Sequence, residues 1–199
     1  MIRRRRYGDT GQAFPIYITV VGGLLFLAFA YFAVGQAAAN RNGAQTAADA
    51  AALAAAQERR DVLAGAWVQN LLDPAKWLDI FEGNTEGVGP SCWRAHQLAA
   101  RNDARVIDCT EGLLRFTVEV ETNKPVGDSI VPGTEERRSN ASATAVIDSR
   151  CDFKLPAADA DEKVLPRLSC KGVNWDLKPD DPPEALPKPE DLFDVHLAD

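Results

Sequence analysis

The feature that most constrains this chain is a long uncharged stretch near its N-terminus. From Thr10 to Asn40 there is no Asp, Glu, Lys or Arg, and Ile, Val, Leu, Phe, Ala and Gly dominate. A bilayer hydrocarbon core about 30 Å thick requires roughly 20 apolar residues in a helix, and residues 16–34 supply such a run. The sequence therefore predicts a transmembrane helix over residues 13–39, so the lipid bilayer is the first expected partner.

The charges on either side of this stretch predict its orientation. Four arginines, at positions 3 to 6, precede it, whereas the single Arg41 follows it before the sequence turns acidic. The positive-inside bias then keeps a basic N-terminus, residues 1–12, in the cytoplasm and exports the rest from a single-pass protein of the cell membrane. A cleaved signal peptide is the alternative. Its apolar core typically spans only about 7 to 15 residues, although Ala37, Ala38 and Ala39 offer small residues to a peptidase.

The exported part suffices for one small domain, and its charge restricts the partners. The whole chain has a net charge of −7 despite its basic start, so the exported part is more acidic still. An acidic surface repels phosphate backbones, and we expect no binding to nucleic acid.

Four cysteines, an even number in an oxidising compartment, predict two disulfides. Cys92 begins a predicted helix and Cys109 ends a predicted strand that doubles back on it, which favours Cys92–Cys109 and Cys151–Cys170 over the other two connectivities. A zinc site is the competing interpretation. It is disfavoured because no Cys-x-x-Cys pair occurs and the two histidines, His96 and His196, are far apart in sequence.

The residues after the span predict an α+β domain over 40–150. An alanine-rich continuation leads the transmembrane helix outwards to about Leu72, and further helices are expected over residues 74–81 and 92–102. Alternating apolar residues then predict three antiparallel strands, at residues 105–109, 114–121 and 138–148. The expected fold is a long N-terminal transmembrane helix that extends into a small extracytoplasmic domain, where a three-stranded antiparallel sheet packs on helices.

Residues 151–199 are rich in proline and acidic residues, and we expect a tail attached by the second disulfide. Residues 178–190 should be extended and mobile. The apolar residues that follow could dock on a partner or fray: Leu192, Phe193, Val195 and Leu197.

The chain contains none of the common catalytic or cofactor-binding motifs. There is no nucleophile elbow, P-loop, zinc-protease helix or dinucleotide fingerprint. His96 has no carboxylate or cysteine at metal-binding spacing, so we interpret it as a surface or partly packed residue. We therefore predict no enzymatic activity, no cofactor, no metal and no small-molecule substrate.

Two segments carry a resemblance to a known family. The sequence Gly-Asp-Thr-Gly-Gln-Ala-Phe-Pro-Ile that begins at Gly8, and the alanine-rich residues 42–56 after the single span, resemble the TadE/TadG-like proteins of Flp (Tad) pilus assembly in their actinobacterial form. The likeness covers roughly the first 60 residues, and residues 92–121 are similar less specifically. It implies a pilin-like or assembly component without enzymatic activity, whose partners are other pilin-like or Tad machinery proteins.

One departure from the family pattern concerns processing. Prepilins of this family are typically cut after a glycine, with a glutamate at the fifth position beyond it. Here Gly11 is followed at that offset by Ile16 and Gly8 by Ala13, so we expect no processing by a prepilin peptidase.

Small side chains allow helix axes to approach closely. We therefore expect a helix-packing surface for partner subunits, although alanine also simply stabilises a helix. Its residues are Gly35, Ala39, Ala44, Ala47, Ala48, Ala51 and Ala55. The alternative function is a membrane-anchored extracytoplasmic ligand-binding or sensory module.

Overall fold

The computed structural model describes residues 13–85, 87–125, 136–155 and 165–198. One long helix, α1 (Ala13–Gln69), leads into a small α+β domain that surrounds its second half, which confirms the predicted fold class. The four arginines at positions 3 to 6 lie outside the described residues.

Helix α1 is continuous because nothing in its sequence breaks it. Its one proline, Pro15, stands in the first turn, where a missing backbone N–H costs no helical hydrogen bond. The second half is dominated by alanine, the strongest helix former. The helix ends at Gln69, close to the predicted end at Leu72.

Two short helices and a loop connect α1 to the sheet. Residues Pro74–Lys76 form a 3-10 turn that continues into α2 (Trp77–Phe81), and Gly83 ends this region with a left-handed φ of 77°. Helix α3 (Cys92–Arg101) then packs alongside α1. Both helical regions lie where the sequence predicts them.

The main sheet has four antiparallel strands in the spatial order β1-β2-β3-β7. Their bounds are β1 (Ala104–Glu111), β2 (Arg115–Thr122), β3 (Asn140–Ser149) and β7 (Phe193–Leu197). In β2 and β3 alternate side chains are buried, as the period-two pattern predicts, and these face α1.

The fourth strand corrects the prediction of a three-stranded sheet. Strand β7 pairs with β3, with Ile147 opposite Val195 and Ser149 opposite Phe193. Three of the four residues predicted as a docking patch or a frayed end, Phe193, Val195 and Leu197, thus complete the sheet of their own chain, and Leu192 directly precedes them. Leu192 and Phe193 are fully buried because they cover apolar surface that a three-stranded sheet would leave exposed.

The proline-rich tail is not confirmed as an extended, mobile segment. A second sheet joins β4 (Cys151–Phe153), β5 (Leu168–Cys170) and β6 (Val173–Trp175). A 3-10 turn (Pro183–Ala185) and helix α4 (Pro189–Leu192) then return the chain to the main sheet. Leu177 and Leu186 are buried along this path, so apolar contacts hold the segment in place despite its prolines.

Candidate interaction surfaces

The first half of α1 is an exposed apolar surface. We call residues 13–39 the apolar segment. Most of its large side chains are exposed among the described residues; Phe26, for example, is 71% exposed. This is the one helix in the described residues that is long and apolar enough to cross a membrane. Exposed side chains of this size on a single helix point to membrane anchoring.

A line of small residues runs along one side of α1 where it leaves the apolar segment. Gly35, Ala39 and Gly43 follow one another at intervals of four residues, which places them on one helix face. All three are exposed, and a Cβ atom added at Gly35 or Gly43 would meet no other atom within 4 Å. A second helix therefore has free access to this face, the small-residue face.

The other five residues of the predicted helix-packing surface lie elsewhere. Each is completely buried inside the domain of its own chain: Ala44, Ala47, Ala48, Ala51 and Ala55. All of them except Ala44 belong to the core that α1 forms with β2, β3 and α3. Because they are covered by their own chain, the small-residue face is the more accessible surface, and the helix-packing role of these five stays a prediction.

Close packing explains why residues 44–56 of α1 are rich in alanine. The helix has the sheet on one side and α3 on another, so buried positions occur around most of its circumference. The facing surfaces are also small, since Ala143 and Ala145 of β3 and Ala95 and Ala99 of α3 are buried in the same core. Small side chains on both partners allow the backbones to approach closely, and a larger residue would have to displace them.

An ion pair with a buried arginine joins three elements of the domain. Arg59 of α1 is 7% exposed, and its Nη2 donates to the carboxylate of Glu111, at the end of β1, over 3.1 Å. The same carboxylate accepts the backbone N–H groups of Ser91 and Cys92, at 2.8 and 2.5 Å. The guanidinium also lies over the ring of Phe116, 5.3 Å from its centroid.

The start of α3 is held by this network and not by a hydrogen bond from the side chain of the preceding serine. Ser91 precedes α3, but its hydroxyl makes no capping hydrogen bond and accepts one from Nε of Arg59 over 3.3 Å. The negative Glu111 carboxylate satisfies the free N–H groups of the helix start, where the helix dipole also favours an anion. Sequence reasoning missed the network because Glu111 lies 19 and 20 residues from Cys92 and Ser91 and 52 residues from Arg59, and it resembles an ordinary turn residue.

Both disulfides join cysteines that are sequential in the chain. Cys92–Cys109 links the start of α3 to β1 with Cα atoms 6.1 Å apart, and Cys151–Cys170 links β4 to β5 with Cα atoms 4.0 Å apart. Neither bond touches the apolar segment. Both therefore reinforce the domain, and the described residues contain no free cysteine.

The charged groups of the described residues form ordinary ion pairs. No group of three or more His, Cys, Asp or Glu side chains is placed to hold a metal ion in this part of the chain. A hydrogen bond from Arg105 lowers the pKa of Glu121, and Arg138 lowers it further. His96 is exposed, as expected, and His196 of β7 lies between Asp148 and Asp194 at 3.8 and 3.7 Å.

The match to a family ends inside the domain. No curated protein and no solved structure matches the chain. Residues 11–58 match the Tad family model, which describes TadE/G-like Flp pilus-assembly proteins, and this confirms the resemblance over the apolar segment and the first part of the buried half of α1.

Proposed function

We propose that this protein is a non-enzymatic, membrane-anchored, pilin-like component of a Tad/Flp-type pilus or secretion apparatus. One observation carries the proposal. The residues that match the pilus-assembly family coincide with a helix that passes from an exposed apolar segment into the core of a folded domain. In this role the apolar segment anchors the protein and α1 presents the domain on one side of the membrane.

The partner contact that we propose is smaller than the full set of small residues in α1. Five alanines are buried within their own domain, so the small-residue face (Gly35, Ala39 and Gly43) is the part that remains accessible. Helices in lipid associate mainly through close packing at small residues, since lipid tails are as apolar as leucine. A helix of another pilin-like protein would pack here, at the end of the apolar segment.

The proposed topology follows the charge asymmetry of the sequence, with the N-terminus in the cytoplasm and the domain outside. A periplasm-type or surface reporter fused after residue 198 should be active only outside the cytoplasm. The protein should also resist alkaline carbonate extraction. Release of a shortened chain into the supernatant would establish a cleaved signal peptide and contradict the anchor.

The partner contact has a matched control two residues along the helix. Ala39 and Ala37 are both exposed alanines, but a 100° rotation per residue puts them on nearly opposite faces of α1. The assay introduces Gly35→Cys and measures cysteine crosslinking in the membrane to co-expressed pilin-like proteins. In this background Ala39→Leu should abolish the crosslink, and it should reduce fibre formation or secretion. Ala37→Leu, with the same added cysteine, should keep both. If Ala39→Leu crosslinks and supports fibres as the parent does, the small-residue face is not the contact.

A further inference from the structure

Basic residues gather at the end of the domain that is nearest to the apolar segment. We define this end by backbone pairing: Ala104 stands opposite Thr122, and Glu121 stands opposite Asn140. The side chain of Asn40 on α1 reaches the same end, where its amide donates to the carbonyl of Lys124 over 3.5 Å. The C-terminus of α3, the start of β1, the end of β2 and the start of β3 therefore all meet beside the outer limit of the apolar segment.

The described residues at this end carry a net charge opposite in sign to that of the protein. Among the described residues it has three acidic side chains, Asp103, Glu121 and Glu136. It has six basic ones, which we call the basic patch: Arg41, Arg101, Arg105, Lys124, Arg137 and Arg138. A basic excess is unexpected in a chain of net charge −7, so this end differs from the rest of the molecule.

Two of the three acidic residues here form ion pairs with basic neighbours. Glu121 lies 2.5 Å from Arg105 and 3.5 Å from Arg138, and Asp103 lies 3.6 Å from Lys124. Within the described part of the chain, Arg41 and Arg101 have no ion-pair partner, and both are exposed. The patch therefore keeps positive charge that can interact with an external anion.

The patch also lies at the right height above the bilayer. Residue 34 ends the bulky part of the apolar segment, and Asn40 is six residues further, a rise of about 9 Å along the helix. The headgroup layers add roughly 10 to 15 Å in total to a hydrocarbon core of about 30 Å, which is about 5 to 7.5 Å on each side, so the start of the domain lies within a few Å of the outer edge of the headgroups. The Debye length at physiological salt is about 8 Å, so salt only partly screens the attraction between the basic patch and the headgroup phosphates.

We propose that the basic patch docks the domain on the anionic phospholipid headgroups of the membrane that α1 crosses. The ligand is the negatively charged phosphate of lipids such as phosphatidylglycerol. Arg41 and Arg101 meet it first, and Lys124 joins them at the open end of β2. This contact gives the domain a defined face towards the membrane in addition to its attachment through α1. The inference rests on the membrane anchoring of the proposed function.

The test uses the full chain in nanodiscs of phosphatidylcholine, with or without phosphatidylglycerol. Hydrogen–deuterium exchange is measured in peptides that cover residues 101–105 and 121–125. We expect exchange at these residues to slow several-fold when phosphatidylglycerol is present, and this protection to fall as salt is raised. Peptides from the second sheet should not change.

Two variants with equal charge loss separate the patch from net charge. The first replaces Arg41, Arg101 and Lys124 with Gln, and it should lose the protection. The second replaces Lys76, Lys154 and Lys171, exposed residues towards the other end of the domain, with Gln, and it should keep the protection. Equal exchange of the parent in both lipid mixtures, or equal loss in both variants, would overturn the inference. A chain that fails to insert into nanodiscs would overturn the anchoring as well, which makes the two failures distinguishable.

Discussion

The two halves of α1 are both apolar, yet they differ in what covers them. The apolar segment exposes Phe, Leu, Ile and Tyr side chains, whereas nine of the thirteen residues 44–56 are alanine, and most of these alanines are buried in the domain. Lipid tails adapt to side chains of any shape, but a sheet and a neighbouring helix have fixed backbones and need small residues between them. In this continuous helix, an apolar composition marks the residues that avoid water. The size of the side chains then separates the residues outside the domain, which are large, from those packed inside it, which are small.

The largest expected difference between the halves comes from truncating one aromatic residue in each. Trp67 is fully buried in the domain core, so Trp67→Ala should lower the free energy of unfolding of the domain by about 3 to 5 kcal/mol. Phe26→Ala, in the apolar segment, should leave it unchanged. Denaturant unfolding of the detergent-solubilised protein measures both. A comparable loss for Phe26→Ala would mean that the apolar segment is part of the domain fold.

Removing a disulfide tests whether the buried half depends on covalent support. Replacing Cys92 and Cys109 with Ser should reduce the free energy of unfolding by roughly 2 to 5 kcal/mol. The sequence separations of the two bonds are 17 and 19 residues, so replacing Cys151 and Cys170 should cost nearly the same if loop closure dominates. Membrane insertion should not change in either variant. Unequal losses would show that local packing outweighs chain entropy.

Enlarging one alanine in each half should give smaller effects on two different properties, domain stability in one half and association in the membrane in the other. Ala51 is fully buried between elements, so Ala51→Leu should overpack the core and destabilise the domain by about 1 to 3 kcal/mol. Ala39 is exposed, so Ala39→Leu should leave domain stability intact and reduce only association in the membrane. Unfolding midpoints and crosslinking yields separate these outcomes. An Ala51→Leu domain as stable as the parent would mean that the core has unfilled space.

The smallest expected effect concerns an exposed ion pair in the domain. Because a hydrogen bond from Arg105 lowers the pKa of Glu121, the folded state binds this proton less readily than the unfolded state does. The pair therefore contributes stability above the ordinary pKa of a glutamate, and this contribution is lost as the pH falls through the lowered value. Arg105→Gln should raise the pKa of Glu121 in an NMR titration. An unchanged titration would show that the pair does not persist in solution.

Local patterns predicted most of the elements, and non-local pairing explains what they missed. The alternation at Phe116, Val118 and Val120 predicts β2 directly, since one buried face is a property of the strand itself. Strand β7 follows a proline-rich stretch and pairs with β3, which lies nearly 50 residues earlier in the chain. Its short apolar pattern is therefore equally compatible with an exposed chain end and with a strand paired in a sheet.

The alanine-rich segment was ambiguous for a different reason. Alanine stabilises a helix, packs between helices and packs under a sheet, so the composition of residues 44–56 does not choose among the three. The choice depends on whether the chain itself supplies the partner surfaces. Here β3 supplies Ala143 and Ala145, and α3 supplies Ala95 and Ala99, residues whose role becomes evident only once the fold is known.

Because α1 is continuous, a tilt of its apolar segment moves the domain at its other end. No proline interrupts the helix after Pro15, so the apolar segment and the part of the helix inside the domain turn together. Thirty residues separate Ala39 from Gln69, a length of about 45 Å. A tilt of about 20°, the average for transmembrane helices, would carry the far end of this part of the helix sideways by roughly 15 Å. In the proposed assembly, a reorientation of this size between neighbouring membrane helices would displace the domain by about half its own width.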